Sequence, residues 1–154
     1  MTKTTILAGC VLVVLAGNAF ACGESLFRVG KGVAFREYSA PLPGSILVVA
    51  NTAAELALVE RLAAAGHDIH VVSSPDEIGA ELKNHEIDIV LAYFSQRENV
   101  ESQTATAAVS YIPIAIEGTQ EIVQAGEIYD VSLSSDDSVK KFLQTIHKTL
   151  KSHS

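Results

Sequence analysis

Six positions carry most of the chemistry this chain offers: Cys22, Asn51, Thr52, Tyr93, Ser95 and Thr119. Five are neutral hydrogen-bonding groups, suited to holding a small uncharged molecule, and Cys22 is a thiol. None stands in the pattern of an activated nucleophile. There is no G-x-S-x-G elbow, and no Ser, His and acid follow one another in a triad order. The "GKG" at 30–32 lacks the G-x-x-x-x-G-K-[ST] spacing of a phosphate loop. The five histidines give no His-x-His pair and have no cysteine pair beside them. His67 and His70 bracket the start of an apolar run, His85 ends a helical stretch, and His147 and His153 lie six apart. That spacing predicts no metal site. No cofactor and no enzymatic activity are expected.

The five polar residues become a group only through the elements that position them. From Ser45 the chain alternates apolar runs with helical patterns. "SILVVA" (45–50), "DIHVVS" (68–73), "IDIVLAYF" (87–94), "YIPIAIEG" (111–118) and "IYDVSL" (128–133) read as strands, with Pro113 at the beginning of its strand. Between them, "TAAELALVERLAAAG" closes on Gly66, and Ser74-Pro75 opens a helix running to about Asn84. A polar helix falls within 97–110 and a short one around Gln120–Gln124. The last helix is capped by Ser135 and carries an apolar stripe of Val139, Phe142, Leu143, Ile146 and Leu150. The sum predicts an α/β fold: a doubly wound, five-stranded parallel sheet with helices on both faces. In such sheets ligands lie beyond the carboxyl ends of the strands, where Asn51, Thr52, Tyr93, Ser95 and Thr119 fall.

The expected core is drawn from the strands and the two longest helices. It comprises Ile46, Val48, Val49, Leu56, Val59, Leu62, Val71, Val72, Ile87, Ile89, Val90, Leu91, Ile114, Ile116, Val131, Phe142, Leu143 and Ile146.

The first 44 residues differ. A short basic start with Lys3, an apolar run over 6–17 and "AFA" at 19–21 predict a secretory signal over 1–21, too short to span a bilayer. Cleavage after Ala21 would leave Cys22 as the first residue and the single thiol, with no internal disulfide. Cys22 then stands where a bacterial lipoprotein takes its lipid; ordinary cleavage with a free thiol is the alternative. Residues 22–44 read as an extension, with a hairpin around Gly30-Lys31-Gly32 and a stiff connector at Pro41, Pro43 and Gly44. The formal charge of −7 and the absence of Trp argue against nucleic acid and anionic headgroups as partners. Membrane contact is expected only through a lipid on Cys22.

The stretch "AAAGHDIHVVSSPDEIGAELKNHEIDIVLAYF" (63–94) resembles the receiver domain of two-component response regulators, and the pattern extends over 45–151. The resemblance implies the receiver-like (βα)₅ fold. It also implies a place for the family's chemistry: an acid pair after the first strand holding Mg²⁺, an Asp ending the third strand that takes a phosphoryl group, a hydroxyl after the fourth and a Lys after the fifth. Here Asn51 and Thr52 occupy the acid pair, Tyr93 the phosphoacceptor, Glu117 or Gly118 the hydroxyl position with Thr119 nearby, and Ser132 falls near the Lys position. A neutral site neither binds Mg²⁺ tightly nor forms an acyl phosphate. The resemblance therefore implies a pseudo-receiver without phosphotransfer.

Two functions follow. One is an exported, periplasmic interaction module docking on an envelope protein through the face that the family uses for partners, where Gln120, Glu121, Gln124, Asp130, Lys140 and Lys148 would lie. The alternative is a periplasmic small-ligand-binding protein using the strand-end rim.

Overall fold

A computed structural model describes residues 40 and 42–153. The secretion signal, Cys22 and the hairpin around Lys31 lie outside the described residues. Five parallel strands form one sheet in the order β2-β1-β3-β4-β5. They are β1 (Ser45–Val49), β2 (Asp68–Val72), β3 (Ile89–Tyr93), β4 (Ser110–Ala115) and β5 (Leu133–Ser134). The helices are α1 (Ala53–Ala64), α2 (Ile78–Asn84), α3 (Arg97–Thr104), α4 (Glu121–Ile128) and α5 (Val139–His153). Single 3₁₀ turns at Pro75–Glu77 and Phe94–Gln96 lead into α2 and α3. The order 2-1-3-4-5 is the flavodoxin-like one, with its switch point between β1 and β3. No helix among the described residues is long and apolar enough to cross a membrane.

The apolar runs are buried because both faces of the sheet are covered. On one face Ile46, Val48, Ile89, Leu91, Ile112 and Ile114 meet α1 through Leu62 and α5 through Phe142, Leu143, Ile146 and Leu150. On the other, Leu47, Val49, Val72, Val90 and Ala92 meet Ile78 of α2 and Val100 of α3. Val100 explains why so polar a stretch forms a helix: it is fully buried and pins α3 to the sheet. A smaller cluster of Phe94, Ala115 and Ala125 seats α4. Residues before β1 also pack on the domain. The Ala40 N–H donates to Ala65 O at 2.8 Å, and Gly44 approaches Leu150 so closely that a Cβ would stand 2.7 Å from both of its methyls.

Several expectations are corrected. Pro113 is not at the start of β4 but is its fourth residue, opposite Ala92 of β3. The Ser110 N–H donates to Asp88 O, and Ala115 O accepts from Ser135 N–H. Alternation along β4 therefore turns the nitrogen of Pro113 toward the β5 side. β5 pairs only with Ile114 and Ala115, so no ladder bond is lost there.

The fifth strand is also displaced. Ile128 ends α4, whose last turn is closed by Tyr129 N–H to Ala125 O at 2.9 Å. The Tyr129 ring packs edge-on to Phe94 and Tyr111, and pairing with β4 begins only at Leu133. The cap of α5 is Ser138 rather than Ser135: its hydroxyl accepts the Lys141 N–H. Asp137 instead accepts the Ser134 N–H at 2.8 Å and pairs with Lys141 at 2.9 Å.

Three expected core residues are exposed: Leu56 at 44%, Val71 at 41% and Ile116 at 43%. Leu56 lies off the inward stripe of α1, which runs through Leu58, Val59 and Leu62. Val71 sits on the edge strand, and Ile116 lies just beyond the end of β4. Val59 and Val131 are half-buried against the first core cluster.

Candidate functional site at the carboxyl ends of the strands

β1 delivers Asn51 and Thr52 to the start of α1, and β3 delivers Tyr93 as its last residue. Thr52 is the N-cap of α1, and the helix closes a capping box with Glu55. The Glu55 Oε2 accepts the Asn51 N–H at 2.7 Å and the Thr52 N–H at 2.8 Å, while Thr52 Oγ1 accepts the Glu55 N–H at 3.3 Å. The Tyr93 hydroxyl faces the same carboxylate across the rim. Burial alone would raise the Glu55 pKa. The donors from Asn51, Thr52 and Tyr93 outweigh it, and the group lies below its ordinary value. Tyr93 is displaced oppositely: burial, and then the neighbouring Glu55 charge, raise its pKa. A phenol held protonated against a carboxylate is a poor nucleophile.

Asn51, Thr52 and Tyr93 thus converge, through Glu55. Ser95 and Thr119 do not join them. Ser95 lies exposed in the turn leading to α3, and Thr119 serves its own loop. Its hydroxyl donates to Ile116 O at 2.7 Å and accepts the Glu121 N–H at 3.2 Å. Because β5 is displaced, Ser134 and Ser135 stand at its end instead of Ser132. Ser134 Oγ donates to Glu117 at 2.6 Å, and Ser135 Oγ accepts the Glu117 N–H at 3.1 Å. No lysine occupies that place.

Beside this network a cavity of about 350 Å³ opens between α1 and the start of α5, floored by Val48, Val49 and Ile114. Tyr93, Glu55, Asp137 and Arg61 line it. Glu55 and Asp137 have their oxygens engaged by the donors described above. Arg61 makes no ion pair among the described residues. Through Arg61 the cavity can donate hydrogen bonds and hold a small molecule bearing an anionic or carbonyl group.

A second chemical cluster escaped the spacing of the histidines in sequence. His70 of β2, with Glu81 and His85 at the end of α2, bring one ligand atom each within 4.8 Å of one another. Among the described residues this is the one such group of three. The signal for it was present: Glu81 and His85 are four apart on a helix and face the same way. Its third member is reached only across the fold.

A tyrosine pair accompanies α4. Tyr129 donates to the Glu101 carboxylate, and its pKa is pushed up to about 12 by burial and by that hydrogen bond. Tyr111 donates to Tyr93 O at 3.1 Å, and burial, followed by its acidic surroundings, raises its pKa further. Both groups hold structure rather than exchange protons near neutrality.

Comparison of the chain with protein-family models, with curated proteins and with solved structures found no match.

Proposed function

We propose that the chain is an exported, catalytically silent receiver-like domain that acts as a protein-interaction module in the bacterial envelope, without phosphotransfer. The observation that carries this reading is the outer face of α4. That helix buries Ala125 alone and leaves Ile122, Val123 (63%) and Ile128 (51%) in solvent, with Ile116 just before it. Exposed apolar side chains grouped on one element are the usual mark of a docking surface. Their surroundings specify the partner's charge. Residues 98–139 contain no Lys or Arg and eight acidic residues, among them Glu117, Glu121, Glu127 and Asp130 around α4. A partner with an apolar strip bordered by lysines and arginines would complement this face.

Silence is supported by the chemistry of the strand ends. Asn51 and Thr52 offer no metal-binding acids, and the Glu55 carboxylate is already engaged by two backbone donors. The signal-like pattern of residues 1–21 supports export to the periplasm, with Cys22 as the lipid acceptor or as a free thiol.

One observation favours a second reading, a periplasmic small-ligand-binding protein: the cavity of about 350 Å³ that exposes Tyr93 and an Arg61 with no ion pair among the described residues. Native mass spectrometry of the full chain isolated from its own envelope separates the two. A stoichiometric protein partner, weakened by salt and lost in Val123→Asp, is the expected result. A bound small molecule lost in Arg61→Gln would instead establish the second reading. A chain that carries neither a protein partner nor a small molecule overturns both.

A further inference from the structure

We propose that His70, Glu81 and His85 bind a divalent transition-metal ion of the Zn²⁺ class, with Asp68 orienting His70 from behind. This goes beyond the docking function and uses no residue of the α4 face.

The placement follows from two periodicities. β2 is an edge strand on which Asp68, His70 and Val72 point to one face. Val72 is buried in the cluster under α2 and α3, so His70 faces the same layer at its margin. On α2, Glu81 lies one turn before His85, and the His85 N–H donates to Glu81 O at 2.9 Å, fixing that last turn. The three side chains thus project from two elements anchored in one core.

The distances suit an ion. The Glu81 Oε2 stands 3.7 Å from His70 Nδ1 and 3.5 Å from His85 Nε2. Ligands about 2.0–2.2 Å from a tetrahedral zinc lie about 3.4 Å apart, so both pairs already have the needed separation. The imidazole rings sit side by side, with centroids 4.3 Å apart and planes inclined by 45°. Two imidazoles and a carboxylate form a borderline donor set that favours zinc, copper or nickel over calcium or magnesium, which require oxygen. The remaining coordination positions face outward, since His85 is half-exposed.

The fourth residue strengthens the assignment. Asp68 Oδ2 lies 3.5 Å from His70 Nε2, on the side of the ring away from Glu81. Metal-binding histidines characteristically donate their second N–H to a carboxylate, which fixes the tautomer and turns the free nitrogen to the ion. His70 is placed for that arrangement, with Nδ1 toward Glu81 and Nε2 3.5 Å from Asp68, a gap that a small ring or carboxylate rotation would close to a hydrogen bond. The ion would also place positive charge at the carboxyl end of α2, where the helix dipole favours it.

The test is isothermal titration of ZnCl₂ into the full chain after chelator dialysis, at about pH 7.5. One equivalent of Zn²⁺ should bind. His70→Asn, Glu81→Gln and His85→Asn should each weaken it by more than about ten-fold, and Asp68→Asn by about ten- to a hundred-fold. Excess Mg²⁺ or Ca²⁺ should not displace it. The Co²⁺ form should show d–d absorption without a thiolate charge-transfer band, which separates this site from Cys10 and Cys22. Far-UV circular dichroism of each variant identifies any loss due to unfolding, and Asp68→Asn alters an exposed carboxylate only. Absence of binding, affinities unchanged by all four substitutions, or a thiolate band in the cobalt form would each overturn the proposal.

Discussion

Glu55 accepts the backbone N–H of Asn51 at 2.7 Å, so a carboxylate from α1 reaches back over the end of β1. It occupies the space in front of the strand with charge that is already hydrogen-bonded.

The first prediction concerns Tyr93. Tyr93→Asp places a carboxylate at the end of β3, yet Asn51 and Thr52 still supply no acidic ligands for Mg²⁺. Incubated with acetyl phosphate and Mg²⁺, this variant should show no added phosphate by intact mass. A phosphorylated species would show that the metal positions lie elsewhere.

Glu55 should matter for stability rather than for chemistry. Removing the capping box with Glu55→Ala should cost about 1–2 kcal/mol in urea denaturation at pH 7. The sign of the pH dependence follows from the lowered pKa. The contribution is complete above the ordinary value of 4.5 and is lost as pH falls through the still lower folded value. Wild type and variant should therefore converge in acid; a constant difference down to about pH 3 would refute the linkage.

His67 should act in a higher window. Its ring is buried, which lowers its pKa, and Nδ1 accepts the Gly44 N–H at 3.3 Å. The unfolded chain takes up this proton first. Stability is full above about pH 6.5 and declines as pH falls toward the folded value. His67→Gln should flatten that decline between about pH 7.5 and 5. Identical slopes would assign the effect to the other histidines.

Packing can be tested by contrast. Ile146 is fully buried between α5 and the sheet, so Ile146→Ala should cost about 2–5 kcal/mol. Leu56 is an apolar helix residue at an exposed position, and Leu56→Ala should cost less than about 1 kcal/mol. Equal losses would place Leu56 in the core after all.

Much of the fold was legible because its signals are local. β1 and β3 are continuous apolar runs, Thr52 and Ser74 are capping residues, and Gly66 adopts the positive φ that ends α1. Each depends on residues a few positions apart. Asn51, Thr52 and Tyr93 could likewise be placed at strand ends by counting. That Glu55 would join them was less visible, because a helix-capping acid and a site acid have the same spacing.

The sequence by itself determined the order of strands and helices, the class of the sheet and the lack of acids where a receiver would need them. These follow from hydrophobic period and residue type. Only the tertiary structure decided where β5 begins, since "IYDVSL" alternates like a strand while its tyrosine packs on Phe94 and Tyr111. It also decided that Pro113 is tolerated within β4, because a two-residue neighbour leaves its nitrogen without a ladder partner. The meeting of His70 with Glu81 and His85 belongs to the same class. A strand residue and a helix end come within ligand distance only because the β2–α2 crossover folds one over the other, and no local pattern records that distance.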